Sequence, residues 1–282
     1  MAGQYGKKKS GKRTFSGSHQ RSWLWGYHAV TETIRAARWP IIEIFATREA
    51  FDQSLVLMQA QSQLGVPIEI VPASRLEQLV RSSEHQGIIA RLGVFPYLSL
   101  DGWLANLQGF DGNTKTESGA LNPGPDSLPP LIVICDRIQD AFNFGAILRC
   151  CDGAAALGVI VGDKSQAEVT PHVVRSSSGA VNFVPIVRTD DLIQAASLIK
   201  QMGSRVVAAD SNATAGIWGM QLKSLTTVIV GSEAHGLQPD LLSIADHRVC
   251  IPMMGRVSSL NAAVATGILL YEVRRQQVHA AS

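Results

Sequence analysis

The amino-acid sequence predicts an α/β protein with two domains. Strand-like and helix-like segments alternate between residues 23 and 97, and they alternate again from residue 131 to residue 282. Residues 98–130 open with a short helix-like piece and continue into a stretch rich in glycine, proline, asparagine and serine, which is typical of a linker. Apolar residues make up 46% of the chain, which is enough for each domain to bury a core of its own.

The first 22 residues are predicted to form a flexible basic arm. They contain no aspartate or glutamate, and their six basic residues are Lys7, Lys8, Lys9, Lys12, Arg13 and Arg21. A segment of this kind, rich in glycine and serine, cannot pack a core, but its charges can neutralise phosphates. Nucleic-acid binding is therefore one interpretation of the arm, and a solubilising tail or an organelle-targeting segment are the alternatives.

The first domain, residues 23–97, is predicted to contain three helices and three strands. Stretches with helical spacing cover residues 27–37, 54–65 and 74–82. Strand-like stretches cover residues 41–47, 68–72 and 87–95. Ser74 is a candidate N-cap for the third helix, because Glu77 stands three positions later, as in a capping box.

The second domain, residues 131–282, is predicted to be a larger α/β unit. Its apolar, strand-like stretches cover residues 131–136, 157–163, 182–188, 204–210, 226–233 and 247–252. Helix-like stretches separate them at residues 143–156, 190–203 and 259–277. Because strands alternate with helices, we expect a mainly parallel sheet that is covered by helices on both faces.

Polar residues that follow the strands of the second domain are the candidate site residues, because parallel sheets bind ligands at the carboxyl ends of their strands. Asn143 and Arg149 follow the first of these strands, and Glu233 stands at the end of the fifth. Ser259 and Asn261 come after the sixth strand and begin the last helix. Taken singly, each of these residues could also be a helix cap, an ordinary loop residue or a surface charge.

Taken together and in this order, the segments resemble the SpoU (TrmH-type) branch of the SPOUT RNA methyltransferases. The matching motifs are DRIQDAFNFGAILR at 136–149, SSGAVNFVPIVR at 177–188, VGSEAHGL at 230–237 and IPMMGRVSSLNAAVATGILLYE at 251–272. GYHAV at 26–30 and HQGIIA at 85–90 resemble the substrate domain of the 23S rRNA guanosine-2′-O-methyltransferase subgroup. That domain is similar to RNA-binding ribosomal proteins.

The resemblance implies an enzyme that methylates an RNA ribose 2′-hydroxyl with S-adenosylmethionine as its cofactor, and the subgroup implies a guanosine of 23S rRNA as its target. A tRNA target, or a catalytically silent RNA-binding protein with the same fold, are the alternatives. The resemblance further implies a homodimer and a trefoil knot that holds the cofactor. The family positions that hold the cofactor through their backbone are Gly231, Ile251 and Leu260. The polar active-site positions are Asn143, Arg149, Glu233, Ser259 and Asn261.

Two positions depart from the motifs of the family. Ala141 stands where the family has a proline after Asp140, and Ala234 stands where the second motif has a glycine. Both changes affect turn geometry, and neither removes a side chain that the chemistry needs. A Rossmann-type methyltransferase is the competing enzyme class, but residues 136–146 lack the glycine-rich loop that it requires.

The remaining composition argues against a metal site or a membrane span. The four cysteines form no C-x-x-C pair, so we interpret them as free, mostly buried thiols and expect no bound metal. No apolar run of about 18 residues is present, and no apolar signal-peptide core follows the basic start. We therefore expect a cytoplasmic protein.

Overall fold

The structure is a computed structural model that describes residues 22–108 and 128–281. The small first domain has, in chain order, β1 (Trp23–Trp25), α1 (Tyr27–Ala36), β2 (Ile41–Ala46), α2 (Arg48–Asp52), α3 (Leu55–Gln63), β3 (Ile68–Ile70), α4 (Ala73–Val80) and β4 (Ile88–Leu92). Its sheet has the strand order β1-β4-β2-β3. Strand β4 is antiparallel to both of its neighbours, and β2 and β3 are parallel. The three predicted strands and three predicted helices are all present.

The two family-like segments at the ends of the small domain meet in space. Gln86 lies in the left-handed region with a φ of 53°, and its side-chain oxygen accepts a hydrogen bond from the backbone N–H of Tyr27 at 2.8 Å. It thereby caps α1, because Gly26, at the N-cap position, offers no side chain. The prediction for Ser74 is wrong: α4 begins at Ala73, and its N-cap is Pro72, two residues before Ser74.

The second domain contains the larger sheet. Its elements are β5 (Leu98–Ser99), α5 (Leu100–Gln108), β6 (Leu131–Asp136), α6 (Ala141–Gly153), β7 (Gly158–Gly162), α7 (Pro171–Ser176), β8 (Ile186–Thr189), α8 (Leu192–Gln201), β9 (Arg205–Ala209), β10 (Thr226–Gly231), α9 (Pro239–Ile244), β11 (His247–Val249) and α10 (Ala262–Ala281). The strand order is β11-β9-β10-β6-β7-β8-β5, and every pair is parallel. The predicted parallel sheet is therefore confirmed.

Helices cover both faces of this sheet, as the central strand β6 shows. Leu131 and Val133 belong to the same core cluster as residues of α6 and α10, whereas Ile132 and Ile134 belong to the cluster that includes α8. Successive side chains of a strand point to opposite faces, so a strand buried on both faces is apolar at every position. This explains the uninterrupted apolar run that identified β6 in the sequence.

The predicted start of the linker, at residue 98, is wrong by eleven residues. Residues 98–108 are not linker: β5 pairs in parallel with β8, and α5 buries Trp103 and Leu104 in the core of the larger sheet. The apolar face of α5 covers strands that come much later in the chain, and a local composition change cannot reveal such packing. Residues 109–127 of the predicted linker and residues 1–21 of the basic arm lie outside the described residues. The trefoil knot stays a prediction.

The two domains contact each other along α7 and the turn that follows it. The Arg38 guanidinium donates to the backbone oxygen of Val184 at 2.5 Å, and the Asn182 amide donates to the hydroxyl of Thr33 at 3.3 Å.

No helix in the described ranges is long and apolar enough to cross a membrane.

Gly145 allows α6 and α7 to pack closely, and we expect Gly145→Ala to destabilise the protein by about 1–3 kcal/mol, the usual cost of overpacking. An added Cβ would overlap the Ser176 hydroxyl and lie 2.9 Å from the backbone nitrogen of Ser177. Alanine normally stabilises a helix interior by up to ~1 kcal/mol relative to glycine, but here the backbone contact outweighs that gain. Urea unfolding measures the change.

Gly219→Ala is the matched control, because nothing lies within 4 Å of a Cβ at that position. An unfolding free energy for Gly145→Ala equal to or above that of the unmodified protein would contradict the packing argument.

Candidate active site

A buried carboxylate connects the loops that follow the two central strands. Asp136 ends β6 and is fully buried, and in the sheet it lies beside Gly231, which ends β10. Its carboxylate accepts hydrogen bonds from the backbone and the side-chain amide of Gln238, at 2.8 and 2.7 Å, and from Arg137 at 3.1 Å. Asp136 and Gln238 were not among the predicted site residues, although a lone aspartate at the end of an apolar strand was a usable signal. The network holds the loop after β10 against the end of β6.

Asn143 lies in the first turn of α6 and does not cap the helix. Asp140 is the N-cap, and its carboxylate accepts from the backbone N–H of Asn143 at 2.7 Å. The capping interpretation of Asn143 is therefore wrong, and its amide is available for other contacts. That amide donates to Oε1 of Glu233, in the loop after β10, at 3.1 Å.

Asn261 joins the same network from the start of α10. Its side-chain oxygen accepts from the backbone nitrogen of Ala263 at 3.0 Å, so it does cap its helix. Its amide nitrogen donates to the Asn143 oxygen at 2.9 Å and to Oε1 of Glu233 at 2.7 Å. Oε1 of Glu233 also accepts from the backbone nitrogen of Ala262 at 2.9 Å, which gives it three donors. Oε2 of Glu233 receives no donor from the described residues, so it can accept a hydrogen bond from a ligand.

Next to this network lies a cavity of about 540 Å³. Its lining includes five predicted residues, which are Gly231, Glu233, Ile251, Ser259 and Leu260. Asp210 and Asn212 add polar groups, while Leu237 and Leu269 add apolar wall. A cavity of this size that combines apolar wall with several polar groups is typical of small-molecule sites.

The loop after β10 can close only because Gly231, which lines the cavity, has no side chain. A Cβ at Gly231 would overlap the carbonyl oxygen of Gly236 and lie 2.8 Å from the backbone nitrogen of Leu237. The backbone of the loop therefore folds directly onto the end of β10, and a larger residue would push it away.

Arg149 lies apart from the three-residue network and from the cavity lining. It is exposed on α6, and its guanidinium donates to the hydroxyl of Ser178 at 3.0 Å. Ser178 follows α7 and lies in the left-handed region with a φ of 51°. Ser178 stands inside the family-like segment 177–188, but the sequence analysis did not identify it as a partner of Arg149.

The cysteines near the site are free thiols, as interpreted from the sequence. Burial, together with the adjacent Asp136 carboxylate, raises the pKa of Cys135 to about 12, and burial raises the pKa of Cys151 well above its usual value. Such thiols stay protonated near neutral pH and are poor nucleophiles. Within residues 22–108 and 128–281, no group of three or more His, Cys, Asp or Glu side chains could hold a metal ion.

Comparisons with known proteins match both domains. Residues 130–271 match the SpoU rRNA Methylase family, and residues 23–98 match the family described as RNA 2′-O ribose methyltransferase substrate binding. A 23S rRNA (guanosine-2′-O-)-methyltransferase RlmB from Photobacterium profundum is 31% identical over 90% of this chain and 97% of its own. The protein of the same name from Haemophilus influenzae is 30% identical over 90% of this chain and 98% of its own.

Solved structures agree with this assignment. The crystal structure of an RNA 2′-O ribose methyltransferase superimposes with a TM-score of 0.65 at 26% identity and covers 92% of this chain and 90% of its own. The SpoU methyltransferase AviRb from Streptomyces viridochromogenes, in complex with AdoMet, shares the fold with a TM-score of 0.70 at 23% identity, covering 91% of this chain and 90% of its own. The family and the α/β fold predicted from the sequence are thus confirmed, and so is the predicted enzyme class, an RNA methyltransferase. The chain belongs to the SpoU rRNA methylase family.

Proposed function

We propose that this protein transfers a methyl group from S-adenosylmethionine to the 2′-hydroxyl of a guanosine in 23S rRNA. The observation that carries the proposal is the convergence of Asn143, Glu233 and Asn261, from three separate segments, beside the 540 Å³ cavity. The guanosine target is supported by the two relatives named RlmB, which match almost the whole chain at 30–31% identity.

The cavity fits S-adenosylmethionine in size and in the chemistry of its walls. Leu237, Leu260 and Ile251 offer apolar surface for an adenine ring, and Asp210 offers a carboxylate for hydroxyl or amino groups. The backbone of Gly231, Ile251 and Leu260 holds the cofactor in this proposal. When bound, S-adenosylmethionine supplies a methyl group that is already activated by its positively charged sulfur.

The residues of this chain position the ribose and stabilise charge. Arginine stays protonated at neutral pH, so Arg149 acts as a cation and not as a base. It binds the phosphate next to the target ribose and stabilises the negative charge that develops on the 2′-oxygen. Oε2 of Glu233 accepts a hydrogen bond from the ribose, while Asn143 and Asn261 keep the loops around it in place. Ser259 lines the cavity and offers a hydroxyl to the ligand.

The Glu233 carboxylate can be tested by a pair of substitutions. We expect Glu233→Ala to lower kcat about 100-fold, because Asn143, Asn261 and the backbone of Ala262 lose their common acceptor and the loops shift. Glu233→Gln should lower kcat less, because the glutamine keeps one acceptor oxygen in place. Single-turnover methylation measures both variants.

Glu69→Ala is the control for this pair, because Glu69 is exposed on β3, in the small domain. If Glu233→Ala methylates RNA at the rate of Glu69→Ala, the carboxylate has no role in holding the site.

We propose in addition that the protein is a homodimer with α10 in its interface. Val264 and Tyr271 stand seven residues apart on α10 and are 52% and 56% exposed, and Phe142 on the neighbouring α6 is 67% exposed. Exposed apolar groups that lie on packed neighbouring helices are typical of subunit interfaces. Analytical ultracentrifugation tests this: a monomer at micromolar concentration would contradict it, and Tyr271→Glu should shift a dimer toward monomer.

The proposed activity is tested by methyl transfer from labelled S-adenosylmethionine to total RNA from a strain that lacks the gene. Label on a 2′-O-methylguanosine in 23S rRNA would support the full proposal. Label on tRNA would keep the chemistry and overturn the target. No label, together with no binding of S-adenosylmethionine, would favour a silent RNA-binding protein.

A further inference from the structure

A strip of side chains, all exposed except that of Trp25, runs from the small domain to Arg149. It consists of Trp25 on β1, His172 and Arg175 on α7, Ser178 after that helix, and Arg149 on α6; we call it the α7 strip. None of the functions assigned above uses α7, and the sequence analysis predicted no helix there.

At one end, the strip joins α7 to the small domain. The Arg175 guanidinium lies over the Trp25 ring, 4.4 Å from its centroid, and the His172 ring meets Trp25 edge-on at 6.1 Å. His172 and Arg175 are three residues apart, so they share one face of α7. Both side chains are exposed while Trp25 is buried, so the arginine covers the tryptophan and faces solvent.

At the other end, the strip reaches Arg149 through one residue. The backbone nitrogen of Ser178 donates to the carbonyl oxygen of Arg175 at 3.1 Å, and its hydroxyl accepts from Arg149 at 3.0 Å. The Ser176 hydroxyl donates to the backbone oxygen of Ala141 at 3.1 Å, which attaches α7 to the start of α6. The two arginines are therefore held at a fixed separation along one surface.

The charges of the strip are not compensated by acids. Within residues 22–108 and 128–281, ion pairs involve Arg35, Arg48, Arg91, Arg137, Arg188, Lys200 and Arg275, but neither Arg149 nor Arg175. A guanidinium stacked on an aromatic ring keeps its edge donors free for a planar anion such as a phosphate. The two domains are also held together by contacts that do not involve Arg175, such as the hydrogen bond from the Arg38 guanidinium to the backbone oxygen of Val184.

We propose that Arg175 binds a backbone phosphate of the substrate RNA, as the strand passes from the small domain along the α7 strip to the ribose at Arg149. This inference rests on the proposed function and adds the path of the strand. Arg175 strengthens RNA binding and takes no part in methyl transfer. Trp25 contributes by holding the guanidinium in place before RNA arrives.

The experiment compares Arg175→Gln with Arg205→Gln, using labelled 23S rRNA from a strain lacking the gene. Arg205 is an exposed arginine at the amino end of β9, whereas the loops of the candidate site follow the carboxyl ends of the strands. Binding is measured over a series of salt concentrations. We expect Arg175→Gln to weaken binding roughly three- to tenfold and to make the plot of log affinity against log salt less steep by roughly 0.7 to 1.

In methylation assays Arg175→Gln should raise KM for RNA while kcat and the Kd for S-adenosylmethionine stay unchanged. Arg175→Lys should retain the salt slope because it retains the charge. An unchanged slope in Arg175→Gln, or the same change in Arg205→Gln, would overturn the proposal.

Two features keep this test informative. The slope does not depend on the fraction of protein that is folded, so a partly unfolded variant still answers the question. RNA binding is measured without catalysis. An inactive wild-type protein would therefore refute the proposed function, while the salt dependence of RNA binding would still test the path of the RNA strand.

Discussion

Replacement of Arg149 by alanine is expected to lower kcat about 100- to 1000-fold, the usual effect of removing one group that stabilises charge in a transition state. The Kd for S-adenosylmethionine should not change, because Arg149 does not line the cavity. Its position beside Ser178 on an exposed surface suits a phosphate or ribose oxygen of the RNA. Single-turnover methylation and calorimetric titration of the cofactor measure the two quantities separately.

Arg149→Lys distinguishes two versions of this role. A lysine keeps the positive charge but cannot offer the two parallel donors of a guanidinium. If Arg149 binds a phosphate through two donors, we expect the kcat of Arg149→Lys to lie between those of the wild type and Arg149→Ala. Wild-type activity in Arg149→Lys would show that charge alone suffices, and wild-type activity in Arg149→Ala would remove Arg149 from the mechanism. Arg205→Ala is the control for loss of one surface arginine.

Gly231→Ala is expected to raise the Kd for S-adenosylmethionine by roughly 10- to 100-fold, which corresponds to about 1–3 kcal/mol of overpacking. The new Cβ would overlap the carbonyl of Gly236, and backbone atoms cannot move aside as a flexible side chain can. The loop that carries Glu233 would have to shift, so kcat should fall as well. Titration calorimetry and methylation assays measure both effects.

Gly255→Ala is the control for Gly231→Ala, because Gly255 also lies in a loop near the cavity but has nothing within 4 Å of a Cβ. Thermal unfolding of both variants separates a local effect from general loss of structure. Unchanged cofactor affinity in Gly231→Ala would show that the cavity beside β10 is not the cofactor site.

Much of the fold was predictable because its signals are local. Strands of the larger sheet are buried on both faces, so β6 and β10 appear as short apolar runs in the sequence. The helices between them have helical spacing, and alternation of the two predicts a parallel sheet. The motifs at 136–149, 230–237 and 251–272 follow or precede these elements, so their meeting at one edge of the sheet was also predictable.

Contacts between distant segments were not predictable. The sequence of α5 does not show that its apolar face packs on strands formed later, and it was therefore placed in the linker. Asp140 and Asn143 can each cap a helix, and only the backbone geometry showed that Asp140 does so while Asn143 binds Glu233. Residue type alone does not distinguish these outcomes.

The sequence by itself determined the family, the enzyme class and the identity of three polar residues, Asn143, Glu233 and Asn261, that meet beside the cavity. Only the tertiary structure decided how they are arranged: Glu233 as a common acceptor, Arg149 held by Ser178, and Asp136 holding the loop after β10. The physical reason is that composition and periodicity report the environment of each residue along its own element. Hydrogen bonds between residues about 30 to 100 positions apart depend on how the elements pack.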